Sequence, residues 1–250
     1  MNTEQINIRD AVDGAPGYWA GPGLTEIEIV ELRRLIEQRF LARIATIAPD
    51  DVDHFAAAGL AQYHLESYRI DHSSVWPRHE RLMGQDGIDF INQSSLMYRL
   101  AAEFGSAQIT NEIEGEPPEV VWRLVRPGQT DDVGPLHADR WFWDINKWPT
   151  PDGQRCIKVW LLVNGDTGLA GLRVAPGTHR QQDWNYTVEY RHGLDKPVFD
   201  EAVVDVEPFL LETPPGSAVV FSYDLLHGGA VTMGDQCRVS LEFTLFVPQC

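Results

Sequence analysis

Four residues in this chain have the types and spacing to do metal chemistry: His137, Asp139, His227 and Arg238. His137 and Asp139 stand two apart in Gly134-Pro-Leu-His-Ala-Asp139, directly after a Gly-Pro turn. In an extended segment, residues two apart project to the same side. An imidazole and a carboxylate can therefore approach one ion together. His227 lies in Tyr223-Asp-Leu-Leu-His-Gly-Gly229, just after the apolar run Ser217-Ala-Val-Val-Phe221. Two imidazoles and one carboxylate on one face of a metal leave coordination positions open, which is the arrangement of non-haem Fe(II) oxygenases. Arg238 opens the next strand-like run. Across a short antiparallel turn it can lie beside His227, and an arginine fork matches a carboxylate held bidentately. Iron beside such an arginine suits a cosubstrate with a chelating keto-acid end and a distant carboxylate, 2-oxoglutarate. Taken alone, an H-x-D pair is weak, because eight histidines in an Asp-rich chain produce one readily by chance.

These residues need a scaffold, and the chain changes character near its middle. From Leu24 to Ala48 apolar residues recur at helical spacing (Ile27, Val30, Leu35, Leu41, Ile44), and Thr25 with Glu28 forms a capping-box start. Pro49 ends that run. Asp50 or Asp51 can cap a second helix carrying Phe55, Leu60 and Tyr63, and a third is predicted around Phe90 to Phe104 with Leu96, Leu100 and Phe104 on one face. After about Ser106, strand-like runs at 119–125, 156–163, 217–221 and 238–247 alternate with Gly/Pro turns. The expectation is a mainly β (α+β) fold. It is a single domain over 1–250, with a helix-rich N-terminal part (1–105) packed on a jelly-roll core (106–250).

The set His137-x-Asp139, His227 and Arg238 resembles the Fe(II)/2-oxoglutarate-dependent dioxygenases, in particular the phytanoyl-CoA dioxygenase-like family. Gly171-Leu-Arg-Val-Ala-Pro-Gly-Thr-His-Arg180 is similar to a family segment, with Thr178 where Ser is usual, and Pro215-Gly-Ser-Ala-Val-Val-Phe221 is similar to the strand before the second iron histidine. Gly17-Tyr18 and the Leu24-Thr25 helix opening match it more loosely. The resemblance implies a double-stranded β-helix (cupin-like), with Fe(II), 2-oxoglutarate and O2. It implies His137, Asp139 and His227 as iron ligands and Arg238 as the partner of the distal carboxylate of 2-oxoglutarate. Halogenating relatives have a small residue in place of the acid, so Asp139 points to hydroxylation or a related oxidation. Oxidative tailoring in secondary metabolism is the expected setting.

Other residues carry weaker signals. Lys158 and Trp160 share a strand face and are candidates for the cosubstrate pocket, as is Ser240 beside Arg238. Trp141 and Trp143, in the aromatic run 140–148, are candidates to stack on substrate, with packing as the competing role. Arg123 precedes the metal loop and is a further substrate-binding candidate, with Gln129 behind it. Thr178 and His179 are read as fixing a tight turn. The segment 68–77 has no regular period and reads as a loop covering the pocket. The remaining histidines (54, 64, 72, 79, 192) show no partner pattern.

Composition narrows the classes. The 250 residues carry 20 Lys plus Arg against 37 Asp plus Glu, a net charge of −17. That excess argues against nucleic acid and anionic membrane as partners and favours a neutral or cationic small-molecule substrate. No run reaches a membrane span, the polar start carries no secretion signal, and three scattered cysteines form neither a disulfide framework nor a thiolate zinc site. A cytoplasmic setting is expected. Two rivals remain open: a cupin-like metal enzyme that does not use 2-oxoglutarate, and a non-catalytic small-molecule binding protein.

Overall fold

A computed structural model of the chain describes residues 7–111, 116–181, 183–191, 194–199 and 206–249. Among these the helices are α1 (Ile8–Asp13), α2 (Glu26–Ile47), α3 (Val52–Ala58), α4 (Tyr63–Glu66), α5 (His72–Val75), α6 (Gln85–Asn92), α7 (Ser95–Phe104) and α8 (Asp139–Asn146). The strands are β1 (Tyr18–Pro22), β2 (Gln108–Thr110), β3 (Val121–Val125), β4 (Gln154–Asn164), β5 (Leu172–Val174), β6 (Thr187–Arg191), β7 (Leu194–Val198), β8 (Phe209–Leu210), β9 (Ser217–Ser222), β10 (His227–Gly229) and β11 (Arg238–Pro248). The architecture is α+β, and every strand pairing is antiparallel. The main sheet runs β1-β9-β4-β11-β2, with β3 also on β11, and a smaller sheet runs β10-β5-β8.

The alternation of β11 explains how one sheet serves two purposes. Val239, Leu241, Phe243, Leu245 and Val247 all pack into the core beneath the helices. Arg238, Ser240, Glu242 and Thr244 take the other face, because successive side chains point to opposite sides. The neighbouring strands repeat the pattern. Ile157, Val159, Leu161 and Val163 of β4 and Trp122 and Leu124 of β3 join the helix-side core. Lys158, Trp160 and Arg123 therefore lie on the inner face. Between the two sheets a second apolar cluster of Trp160, Leu162, Leu172, Val174, Val219 and Phe221 closes the sandwich. Each fully buried side chain of this size contributes about 1.5–3 kcal/mol, so the outer core holds the sheet while the inner face can afford charge.

The helical part follows its sequence signals with three shifts. Thr25 caps α2 as a capping box, and the Glu28 carboxylate also accepts from the Ser95 backbone N–H and hydroxyl, both at 2.6 Å. Burial alone would raise that carboxyl, but the hydrogen bonds from Ser95 and Thr25 bring it down to about 2. The inward stripe of α2 is Ile29, Leu32, Leu35, Ile36, Phe40 and Ile44, whereas Ile27 and Val30 are exposed. Apolar residues occur on both sides of this helix, and the position of the sheet selects the buried one. The second predicted helix is divided into α3 and α4 around Gly59, whose φ of +63° breaks the helix. The third is α6 and α7, separated where Ser94 caps the new start. β1, from the N-terminal part, joins the main sheet beside β9.

Segment 68–77 does not cover the cavity described below. It includes α5 and packs Trp76 edge-on against Trp122 at 5.2 Å. Cys156 and Cys237 are buried free thiols, and Cys250, His192 and the first six residues lie outside the described residues. No described helix is long and apolar enough to cross a membrane.

Candidate metal centre

β10 is only three residues long, yet it positions the site. His227 and His137 exchange both backbone hydrogen bonds, at 2.9 and 3.0 Å, in an isolated antiparallel bridge. The bridge brings two residues 90 positions apart face to face, with ring centroids 4.5 Å apart. Each ring is then oriented from behind. His137 Nδ1 lies 3.0 Å from the Pro135 carbonyl and His227 Nδ1 lies 3.0 Å from the Leu225 carbonyl. A carbonyl only accepts, so both Nδ1 atoms carry the proton and both Nε2 atoms present a lone pair. Burial pushes His227 down to about 4, which keeps it a neutral imidazole at neutral pH.

Asp139 is not in an extended segment, as the spacing suggested, but is the first residue of α8. It still projects with His137 because Ala138 between them is extended (φ −106°, ψ 134°). The Arg140 N–H donates to the Tyr223 carbonyl at 3.0 Å, which pins the start of α8 to the loop before His227. Asp139 Oδ2 stands 3.4 Å from His227 Nε2, and Oδ1 stands 3.5 Å from Lys158 Nζ. Burial drives this carboxyl up, but Lys158 and the two imidazoles outweigh it and hold it below the usual range.

The donor set passes a test of fit for a divalent metal. One donor atom from each of His137, Asp139 and His227 lies within 4.8 Å of the others. Asp139 Oδ2 is sealed from solvent without a hydrogen-bond donor. An unsatisfied buried carboxylate oxygen costs free energy, and a cation between it and two neutral imidazoles removes that cost. The mixed N/O set with open positions is that of non-haem iron.

A cavity of about 260 Å³ lies in front of the triad. Lys158, Trp160, Arg123 and Arg238 line it, as does Glu242. Arg238 is only 2% exposed. Its Nη1 donates to Ser240 Oγ at 3.1 Å, its guanidinium lies 6.0 Å from the Trp160 ring, and its Nε has no protein partner. Burial lowers it only to about 10, so it remains a cation at neutral pH. Gly229 makes room for it, since a Cβ there would sit 2.9 Å from Arg238 Nη2. A buried cation with an unsatisfied donor fits a carboxylate from outside the chain. Lys158 donates to Thr244 Oγ1 at 3.0 Å, directly opposite in the β4–β11 register. Arg123 is ion-paired with Glu242 at 2.6 Å.

The aromatic run divides differently from the sequence expectation. Phe142 and Trp148 line the cavity, and Phe142 meets the His137 ring edge-on at 5.6 Å. Trp141 and Trp143 do not line it. Trp141 stacks on Tyr186 at 4.7 Å, and Trp143 packs edge-on against Trp148 at 5.3 Å. Trp141 lies on the far side of α8 from Asp139, and Trp143, one turn on from Asp139, is taken up by its packing against Trp148. Gln129 is exposed and outside the cavity. Thr178 has the structural role expected. Its hydroxyl donates to the Ala175 carbonyl at 2.7 Å and accepts from the Leu226 N–H at 3.0 Å, which clamps the residue before His227. His179 is not among the three clustered ligands. Arg78 and Arg81, which sequence reasoning missed, also line the cavity.

The sequence model of the family described as Phytanoyl-CoA dioxygenase (PhyH) matches residues 122–240, the stretch that carries His137, Asp139, His227 and Arg238. Over this stretch, a little under half of the chain, it is similar to the phytanoyl-CoA dioxygenases. As a member of the iron and 2-oxoglutarate-dependent oxygenases, this dioxygenase takes Fe(II), 2-oxoglutarate and O2 as its cofactor set. Its fold is similar to that of AviO1 from Streptomyces viridochromogenes Tue57 (TM-score 0.56, 13% identity, 99% of this chain and 100% of that one). It is also similar to EctD from S. alaskensis, solved with 2-oxoglutarate and 5-hydroxyectoine (TM-score 0.56, 16% identity, 99% and 78%). A third is the non-haem alpha-ketoglutarate-dependent carbocyclase SnoK from nogalamycin biosynthesis (TM-score 0.56, 11% identity, 98% and 85%). At these identities the likeness concerns the jelly-roll fold of the dioxygenase. No curated protein matches the chain.

Proposed function

We propose that this dioxygenase hydroxylates, or otherwise oxidises, a small-molecule metabolite at iron held by His137, Asp139 and His227. Arg238 binds the distal carboxylate of 2-oxoglutarate. The observation that carries this reading is the meeting of three donor atoms within 4.8 Å around a buried, unsatisfied carboxylate oxygen. Bound there, iron with 2-oxoglutarate and O2 supplies the oxidising power, with succinate and CO2 as the co-products.

The chain's own residues do the rest. The Pro135 and Leu225 carbonyls hold the imidazoles in the ligating tautomer. Arg238 and Ser240 give the cosubstrate one orientation, and Trp160 backs the guanidinium. Lys158 offsets the Asp139 charge while Thr244 fixes its ammonium. Phe142 and Trp148 screen the site from water on the α8 side. The carboxylate at 139 fills the position that a halide would need, which supports hydroxylation or a related oxidation.

The chain acts as one domain in this reading, supported by β1 of the N-terminal part pairing along β9 of the core. The acidic balance supports a partner set without nucleic acid or anionic membrane, and a cytoplasmic setting. The likeness in fold to SnoK, a carbocyclase from nogalamycin biosynthesis, supports a role in tailoring a secondary metabolite.

The test is anaerobic Fe(II) titration, followed by succinate release in air. The wild type is expected to bind one iron and form succinate slowly without substrate. His137→Ala should lose both. Full succinate production by His137→Ala would overturn the assignment. Iron binding without 2-oxoglutarate consumption would favour a cupin-like metal enzyme instead.

A further inference from the structure

The chain is acidic as a whole, yet the cavity wall is not. Arg78, Arg81, Arg123, Lys158, Lys196 and Arg238 line it, against the carboxylates of Asp132, Asp139 and Glu242. Most of these charges are matched within the fold. Lys158 faces Asp139, Arg123 faces Glu242, Arg126 takes Asp132 at 2.8 Å, and Arg78 takes Glu119 at 2.5 Å.

Arg81 is different. It sits where the 3-10 turn Arg78–Arg81 meets the edge of β3. The Leu82–Val121 bridge and the Met83 N–H to Val120 carbonyl bond, 2.8 Å, fix that turn against the strand. Its Nε is sealed from solvent without a partner, and no carboxylate of the described residues reaches it within ion-pair distance. Burial and the like charges of Arg123 and Arg78, only partly offset by Glu242, lower it to about 10, so it too is a cation at neutral pH. A half-buried guanidinium with no ion-pair partner and a sealed, unsatisfied Nε is costly in the free protein. That cost is removed when a ligand supplies the anion.

We propose that Arg81 is a specificity-determining residue that seats an oxyanion of the primary substrate, a carboxylate or a phosphate ester, in the cavity that the iron triad also lines. The substrate is therefore an acid, contrary to what net charge suggests. This inference rests on the reading of the cavity as the oxidation site, in which Arg238 is already taken by 2-oxoglutarate and a second cation is left for the substrate. The Arg123–Glu242 pair beside Arg81 gives the rest of that wall a polar, near-neutral surface for the substrate's remaining groups.

The experiment uses full-length protein loaded with Mn(II) and saturated with 2-oxoglutarate under nitrogen. It is titrated calorimetrically with matched pairs of alkyl and aryl carboxylates and their carboxamides, and with the corresponding phosphate esters and alcohols. At least one anion is expected to bind about tenfold or more tightly than its neutral partner. Arg81→Gln should abolish the preference, Arg81→Lys should restore part of it, and 2-oxoglutarate affinity should change less than about twofold in either variant. Whether the carboxylate or the phosphate arm responds identifies the anion. The proposal is overturned if no anion binds the wild type, if neutral partners bind equally well, or if Arg81→Gln keeps the preference. It is also overturned if Arg81→Gln loses 2-oxoglutarate affinity instead, because Arg81 then serves the cosubstrate. A wild type that binds neither Mn(II) nor 2-oxoglutarate sinks the oxygenase reading. The same anion titration on that metal-free protein would then still test Arg81 by itself.

Discussion

Single side chains decide what the centre can hold. Arg238→Ala should raise the KM for 2-oxoglutarate about 10- to 100-fold, the loss expected for a charge-assisted contact. Iron binding should be retained, since Arg238 touches none of the three ligands, and anaerobic iron titration beside succinate assays measures both. Gly229→Ala probes the same contact from the opposite side. Its Cβ would crowd Arg238 Nη2 at 2.9 Å, so the guanidinium must give way and KM for 2-oxoglutarate should rise several-fold with the melting temperature little changed. An unchanged KM would show that the guanidinium has more freedom than its burial suggests. At this scale the sequence was informative where residue type itself is chemistry. The histidines, Asp139 and Arg238 could be picked out by spacing. Arg81 could not, because nothing in Arg78-His-Glu-Arg81 distinguishes a cavity wall from a solvated turn.

Elements set the aim of those side chains. The loop after β5 is held to Leu226, the residue before His227, by the Ala175 N–H and by the hydroxyl of Thr178. Thr178→Val removes a donor and an acceptor together and should destabilise the protein by about 1–2 kcal/mol. It should also weaken iron binding, while Thr178→Ser should recover most of both. Chemical denaturation and iron titration on the pair separate a positioning role from mere bulk. The alternation of β11 was legible as a period-two run, and so were its inward partners. The aromatic run after Asp139 offered stacking and packing as competing roles, and residue type alone could not divide them. Phe142 meets the cavity, whereas Trp141 and Trp143 are taken up in packing against Tyr186 and Trp148. The short bridge between His137 and His227 left no sequence trace, since three residues show no period.

The molecule as a whole ties the metal loop to the helical layer through a buried polar chain. Trp76 Nε1 donates to Tyr63 Oη at 3.1 Å, the Tyr63 hydroxyl meets His72 Nδ1 at 3.0 Å, and His72 Nε2 faces Asp132 at 3.3 Å. Arg126 grips the same carboxylate, five residues before His137. Burial, and then Arg126 and Arg81, push His72 down to about 4 despite Asp132, so the folded protein holds it neutral. As pH falls from about 6.5 to about 4, the unfolded chain takes up a proton there that the folded chain does not. Stability should therefore drop across that window, by about 3 kcal/mol at most from this group. His72→Gln should cost stability at pH 7 and progressively less toward pH 4.5. Thermal melts at several pH values would refute the assignment if the gap between the two proteins stayed constant.

From the order of residues alone came the reaction class, the four central side chains, the helical and strand-rich parts and the antiparallel sheet. These depend on local periodicity and on residue chemistry, both of which are written along the chain. Which face of α2 is buried, which aromatic residues meet the cavity, and the charge of the cavity wall were decided only on folding. Each depends on what a segment far away in sequence packs against it. Net charge sums all 250 residues, whereas a ligand meets only the few side chains that the two sheets and one 3-10 turn bring together.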